Sequence, residues 1–76
     1  MTARPHRPPM VRYEFLLEGR LSETVLAMFP ELTARPGPIG GTVLFGPVEG
    51  SAHLSALLDR FQTLGLTVVE MRRLPD

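Results

Sequence analysis

The chain has 76 residues, which suits one small domain, and its eight basic and eight acidic residues give a formal net charge of zero. It has no cysteine and two widely separated histidines, which argues against disulfides, thiolate chemistry and the usual zinc or iron ligand sets. Balanced charge also argues against general nucleic-acid binding, since neutralising phosphates takes a cluster of positive side chains. We therefore expect no metal, no cofactor and no nucleic-acid partner.

No apolar run approaches the length of a membrane span, and the N-terminal arginines are not followed by the apolar core of a secretory signal. These observations predict a cytoplasmic protein with no membrane partner. Residues 1–9 are rich in proline and poor in apolar side chains, so we expect a flexible arm. The remaining residues, 10–76, are expected to form a single domain.

The first predicted element is a strand. From Val11 to Leu17 the side chains alternate in a period of two, which is typical of a half-buried strand. Leu16 falls on the face opposite Tyr13 and Phe15, and we expect the two aromatic residues to face the core.

The next segment predicts a short helix and a hairpin. Ser22 is a good N-cap for the helix ETVLAMF, which Pro30 ends. ELTAR is a weak strand, PGPIGG is a turn because its prolines and glycines cannot continue a ladder, and TVLF resumes the sheet. Gly46-Pro47 is expected to end this third strand, since proline has no N–H to donate.

The second helix has the clearest periodic pattern. Ser51, or alternatively Glu49, is its expected N-cap, and Gly65 suits the left-handed residue that follows a helix end. LTVVEMRRL is the last predicted strand. The apolar residues of the helix share one stripe, which consists of Leu54, Leu57, Leu58, Phe61 and Leu64.

The predicted order is β-α-β-β-α-β, an α+β arrangement that right-handed crossovers fold into a ferredoxin-like sandwich. Two helices would cover one face of a four-stranded antiparallel sheet, with the first and third strands central. The other face lacks cover, and TVLF is apolar in both phases. Such an exposed apolar patch usually marks a partner or ligand surface.

YEFLLEGRL, GTVLFGPV and LSALLDRFQTLGLTVVEM resemble a group of small stand-alone bacterial proteins, of actinobacterial type, with the same order of elements. The resemblance covers roughly residues 11–74. It implies the ferredoxin-like fold and no catalytic motif, because the function of that group is mostly unassigned. More distantly, the layout is similar to ACT-like regulatory domains and to dimeric α+β barrel proteins, but a shared topology does not imply a shared function.

Two chemical motifs are incomplete. FGPVEGS places Gly46 and Gly50 before a helix but lacks the spacing and the lysine of a phosphate-binding loop, so we interpret it as a turn. The carboxylate of Glu49 would also repel a phosphate. His53 would need a partner to act as a general base, and Glu49 is the only plausible one nearby.

Arginines lie at several predicted strand ends, namely Arg20, Arg35, Arg72 and Arg73. They could converge on a carboxylate or phosphate ligand. The alternative is that they are solvated charges, which protect edge strands from further pairing.

The sequence thus favours a small homodimeric binding or regulatory module, with its ligand or partner at the open sheet face or the subunit boundary. A chain this small is expected to dimerise through sheet faces or adjacent edges to cover its apolar residues. The alternative is a cofactor-free enzyme of the dimeric α+β barrel type that acts on a hydrophobic metabolite, with His53, Tyr13 or an arginine polarising it. No catalytic residue is assigned, and the predicted binding residues are Leu16, Phe45, Met71, Arg35 and Arg72.

Overall fold

The computed structural model describes residues 10–75. The predicted N-terminal arm, residues 1–9, lies outside this range, so it stays a prediction. The elements are β1 (Val11–Leu17), α1 (Glu23–Leu26), β2 (Thr33–Pro36), a 3-10 turn (Pro38–Gly40), β3 (Thr42–Val48), α2 (Gly50–Thr63) and β4 (Val68–Arg73). In this part of the chain, neither α-helix is long and apolar enough to cross a membrane.

The four strands form one antiparallel sheet in the order β2-β3-β1-β4. The α+β class is therefore confirmed, and the first and third strands are central as predicted. Phe15 lies opposite Leu44 on β3 and opposite Met71 on β4. The pairing of β1 with β4 shifts by one residue between Leu16 and Leu17, which marks a β-bulge.

The core lies between the sheet and α2. It consists of residues that are at most 1% exposed, namely Phe15, Leu17, Phe29, Leu44, Val48, Leu57 and Phe61. The ring of Phe61 packs edge-on to Phe15, with centroids 5.1 Å apart, and 4.9 Å from Phe29. The predicted apolar stripe of α2 is thus the face that packs on the sheet.

Helix α1 is shorter than the predicted ETVLAMF. Ser22 is its N-cap, as expected, because its hydroxyl accepts a hydrogen bond from the Val25 N–H at 3.2 Å. After Leu26 the chain tightens: the N–H groups of Met28 and Phe29 donate to carbonyls three residues earlier. Pro30 follows this tighter turn, and the turn places the Phe29 ring in the core.

Strand β3 continues past Gly46-Pro47 to Val48, so the prediction that this pair ends the strand is wrong. The pairing of β2 with β3 stops at Phe45, so Pro47 lies where β3 has a neighbour on one side only. A proline is tolerated at such an edge. Gly46 is required by close packing, since a Cβ there would lie 2.8 Å from the Glu31 carbonyl oxygen.

Helix α2 begins two residues earlier than a Ser51 cap would allow. Its N-cap is Glu49, the alternative prediction, but the Glu49 side chain makes no capping hydrogen bond. Gly50 has a φ of +81°, a backbone angle that glycine adopts readily. The turn from β3 into α2 is therefore built on Gly50, and Ser51 lies within the helix.

Candidate functional site

Both helices pack on the Phe15 side of the sheet, which leaves the opposite side as the candidate site. Residues directly opposite one another on antiparallel strands share a face, so the strand pairing identifies its members. We call this surface the open face; it consists of Glu14, Leu16, Thr33, Arg35, Val43, Phe45, Glu70 and Arg72.

The open face is arranged in two rows across the sheet. The first row runs from β2 to β4 as Arg35, Val43, Leu16 and Glu70. The second row, in the same direction, is Thr33, Phe45, Glu14 and Arg72. Apolar side chains thus occupy the central strands, and charged side chains occupy the edges and the position of Glu14.

Four of the five predicted binding residues, Leu16, Phe45, Arg35 and Arg72, come together on this face. Met71 does not, because it pairs with Phe15 and so lies on the helix side of the edge strand. The physical reason is the bulge in the pairing of β1 with β4, which the apolar pattern of LTVVEM does not indicate. Val69, at the bulge, contributes to the open side instead and is 59% exposed.

Glu14 links both edges of the open face. Its Oε2 accepts a hydrogen bond from Arg35 Nη2 at 2.7 Å, and its Oε1 accepts one from Arg72 Nη2 at 3.1 Å. Its side chain is only 15% exposed. The sequence analysis did not select Glu14; the alternation of β1 places it on this face, but its two arginine partners follow only from the strand register.

Arg35 also contacts an aromatic ring, in addition to its ion pair with Glu14. Its guanidinium carbon lies 5.1 Å from the centroid of the Phe45 ring, within the range of a cation–π contact. Both predicted arginines of the face are therefore engaged within the sheet. A ligand carboxylate or phosphate would have to compete with Glu14 for them.

One end of the open face is an apolar groove of about 450 Å³, lined by Leu16, Pro38, Ile39 and Val69 among others. We call it the end groove. Ile39 lies at the tip of the 3-10 turn, and its side chain is fully exposed, at 105% of the reference value. Ile39 and Val69 are thus two large apolar side chains that water contacts on either side of the groove.

Ile39 also has an unusual backbone conformation. Its φ is +56° and its ψ is +38°, and Gly40 follows with a φ of +75°. The Gly41 N–H donates to the Pro38 carbonyl at 3.2 Å, which closes a tight turn with the two left-handed residues of type I′. Asn-Gly is the usual pair at these positions, and a β-branched residue is a genuine outlier there.

The sequence comparison identifies the family. The profile of a family described as a domain of unknown function, DUF8691, matches residues 12–72. The chain belongs to the DUF8691 family. No curated protein and no solved structure matches it significantly.

His53 of this DUF8691 domain is held by one hydrogen bond and lies near a carboxylate. Its Nδ1 accepts a hydrogen bond from the Glu49 N–H at 2.9 Å, so the proton of the neutral ring is on Nε2. Nε2 lies 3.6 Å from a carboxylate oxygen of Glu31. The predicted partnership with Glu49 is therefore a backbone contact, and it occupies the acceptor nitrogen of the ring.

Glu31 is the centre of a second charged cluster, on the helix side. Arg60 Nη1 lies 3.3 Å from its Oε1 and also donates to the Met28 carbonyl at 3.0 Å. Burial alone would raise the pKa of Glu31, but its own backbone hydrogen bond, Arg60 and His53 together lower that pKa below its ordinary value. The cluster thus connects α2 to the segment between α1 and β2.

A further groove of about 310 Å³ lies beside β2 and α1, lined by Arg20, Leu26, Ala34 and Thr42 among others. The Thr42 hydroxyl is already used, since it donates to the Gly19 carbonyl at 2.9 Å and accepts from the Leu21 N–H at 3.3 Å. Among residues 10–75, no group of three or more acidic or histidine side chains is placed to hold a metal ion.

Proposed function

We propose that this DUF8691 domain is a small homodimeric binding or regulatory module without catalytic chemistry of its own, and that the open face is its partner surface. The proposal includes a ferredoxin-like fold, because the strand order read from the other edge, β4-β1-β3-β2, combines with the βαββαβ order of elements. A bacterial, actinobacterial-type origin, a distant relation to ACT-like domains and a cytoplasmic location are parts of the same proposal.

The observation that carries the proposal is the apolar centre of the open face together with its end groove. Leu16 and Phe45 are half-buried, and Val69 and Ile39 are largely exposed, although a chain of this size has few apolar side chains to spare. Covering one such side chain contributes about 1.5–3 kcal/mol. A second molecule on this face would supply that energy.

The enzyme alternative has less support. The space between the sheet and α2 is filled by fully buried side chains, and the grooves lie at the periphery. The acceptor nitrogen of His53 is already hydrogen-bonded, and the groove beside β2 and α1 has only arginines as ionisable side chains. Arginine stays charged at neutral pH, so it binds anions well but does not serve as a general base there. These features favour binding over proton transfer.

The test is the mass of the full chain in solution. We expect the parent protein to sediment as a dimer at micromolar concentration and Leu16→Glu to sediment as a monomer, because the substitution places a charge in the centre of the face. Val69→Glu has the same expected effect, and because Val69 is 59% exposed we expect this variant to fold as the parent does. A monomeric parent would contradict the proposal.

Met28→Glu is the matched control. Met28 is also a large exposed apolar residue, 47% exposed, but it lies next to Arg60 on the helix side. This variant should remain a dimer. If it dissociates while Leu16→Glu remains a dimer, the interface is on the helix side and the open face is excluded.

A further inference from the structure

We propose that Ile39 is the anchor of the open-face dimer and inserts into the end groove of a second copy, while Ile39 of that copy inserts into the first. This inference rests on the proposed function, since it specifies how the two open faces meet. Its starting point is that Ile39 combines two unfavourable features, a left-handed backbone and a fully exposed apolar side chain. No side chain within residues 10–75 covers that of Ile39.

The end groove has the right chemistry for this side chain. Its apolar lining includes Leu16, Val69 and Pro38, Glu18 is its one charged lining residue, and it lies on the same surface as Ile39 itself. A projecting apolar side chain beside an apolar groove is self-complementary, which is what a two-fold contact between identical chains requires. A second copy of this chain is therefore the partner that the surface fits.

The strand order indicates the orientation of that copy. We place a two-fold axis parallel to the strands, midway between the two stacked sheets and above the gap between β3 and β1. Rotation about this axis puts β2 of one copy over β4 of the other, and β3 over β1. The turn between β2 and β3, which carries Ile39, then lies over β1 and β4 of the second copy. Leu16 on β1 and Val69 on β4 line the groove at that end of the sheet.

Charge complementarity supports the same axis. In the first row of the open face Arg35 lies on β2 and Glu70 on β4, at the two edges of the sheet. The axis places Arg35 opposite Glu70 of the second copy at both edges, and it places Val43 opposite Leu16 in the centre. Arg35 contacts Glu14 through Nη2, and among residues 10–75 its other guanidinium nitrogens donate no hydrogen bond, so one side chain can contact both carboxylates. An apolar strip flanked by two ion pairs is the usual composition of a specific interface.

The first experiment uses the full-length chain with Ile39→Asn, because asparagine adopts this turn position readily. We expect the dimer dissociation constant, measured by sedimentation equilibrium, to rise at least about tenfold. In a Val69→Glu background, which is monomeric, the same substitution should raise the melting temperature, because it relieves the strained turn. Opposite effects on association and on stability distinguish an anchor from a residue that only supports the fold.

The second experiment tests the axis by charge reversal. Arg35→Glu and Glu70→Arg should each weaken the dimer, and the double variant should restore it to within about threefold of the parent. Arg72→Glu is the matched control, because Arg72 shares the carboxylate of Glu14 with Arg35 but has no acidic side chain opposite it across this axis. It should not be rescued by Glu70→Arg.

The outcomes separate this inference from the proposed function. A parent that dimerises and is dissociated by Leu16→Glu, but is indifferent to Ile39→Asn, overturns the anchor and leaves the open-face dimer intact. Failure of the double reversal to restore association overturns the axis. A monomeric parent overturns both proposals.

Discussion

At the scale of single residues, most buried side chains stabilise the fold, whereas one exposed residue destabilises it. Phe15 and Phe61 are in the first class, since both are at most 1% exposed and their rings are in contact. Ile39 is in the second class: a residue held in a sparsely populated backbone region costs about 1–3 kcal/mol. In a domain whose whole stability is of the order of 5–15 kcal/mol, such a cost is a substantial fraction.

Removing a core side chain of α2 should be strongly destabilising. We expect Leu57→Ala and Phe61→Ala each to lower the free energy of unfolding by about 2–5 kcal/mol, because each empties a fully buried position. Urea denaturation measures the effect. Gln62→Ala, at an exposed position of the same helix, is the control and should change stability by less than about 0.5 kcal/mol. Near-neutral values for both core variants would show that α2 packs through another face.

At the scale of elements, the sequence predicts the parts with a simple period and misses the parts that break it. The sequence predicts three such features because each depends on local spacing: the alternation of β1, the apolar stripe of α2 and the Ser22 cap. The bulge opposite Leu16 was not readable, since it arises from the pairing of distant strands, and it moved Met71 off the open face.

The turn type between β2 and β3 was also hidden from the sequence. PGPIGG predicts a turn, but nothing in it shows that Ile39 takes a left-handed conformation beside Gly40. The continuation of β3 through Pro47 depends on where β2 stops, which is a property of the sheet. The candidate site was therefore predictable as a face, whereas the role of Glu14 and the end groove required the register.

The cluster of Glu31, His53 and Arg60 should make the attachment of α2 dependent on pH. Because the pKa of Glu31 is lower in the folded protein than its ordinary value of 4.5, the charged form is favoured by folding. The contribution of the Glu31 cluster to the free energy of unfolding is complete above pH 4.5, and it is lost as the pH falls through the pKa of Glu31 in the folded protein. We expect the melting temperature of Glu31→Gln to differ from that of the parent above pH 4.5 and to approach it in more acidic solution.

Glu23→Gln is the control for this measurement, since Glu23 makes no ion pair with residues 10–75. The difference between its melting temperature and that of the parent should change less across the same range. A Glu31→Gln variant whose melting curve stays parallel to the parent at every pH would contradict the coupling.

At the scale of the whole molecule, the described core is complete without residues 1–9. Every core residue belongs to the segment from Phe15 to Phe61, and β4 closes the sheet by pairing with β1. A chain that begins at Met10 should therefore keep its melting temperature within a few degrees of the parent. Differential scanning calorimetry of both forms measures this, with a chain ending at Leu66 as the control that lacks β4 and should not fold. A large drop on removal of residues 1–9 would mean that they pack on the domain.

The strand order also has a consequence for the nascent chain. Strand β1 is the first of the four strands in residues 10–75 to be synthesised, yet one of its two neighbours, β4, is the last of the four. Until residues beyond Val68 emerge, the backbone of β1 has an unpaired edge, which is a template for pairing with other chains. Final closure joins the Leu74 N–H to the Arg12 carbonyl at 2.7 Å and completes the contacts of Glu14 with Arg72. A partly folded chain in which β4 is detached therefore exposes the β1 edge, and we expect this species to be the one most prone to pairing with other chains.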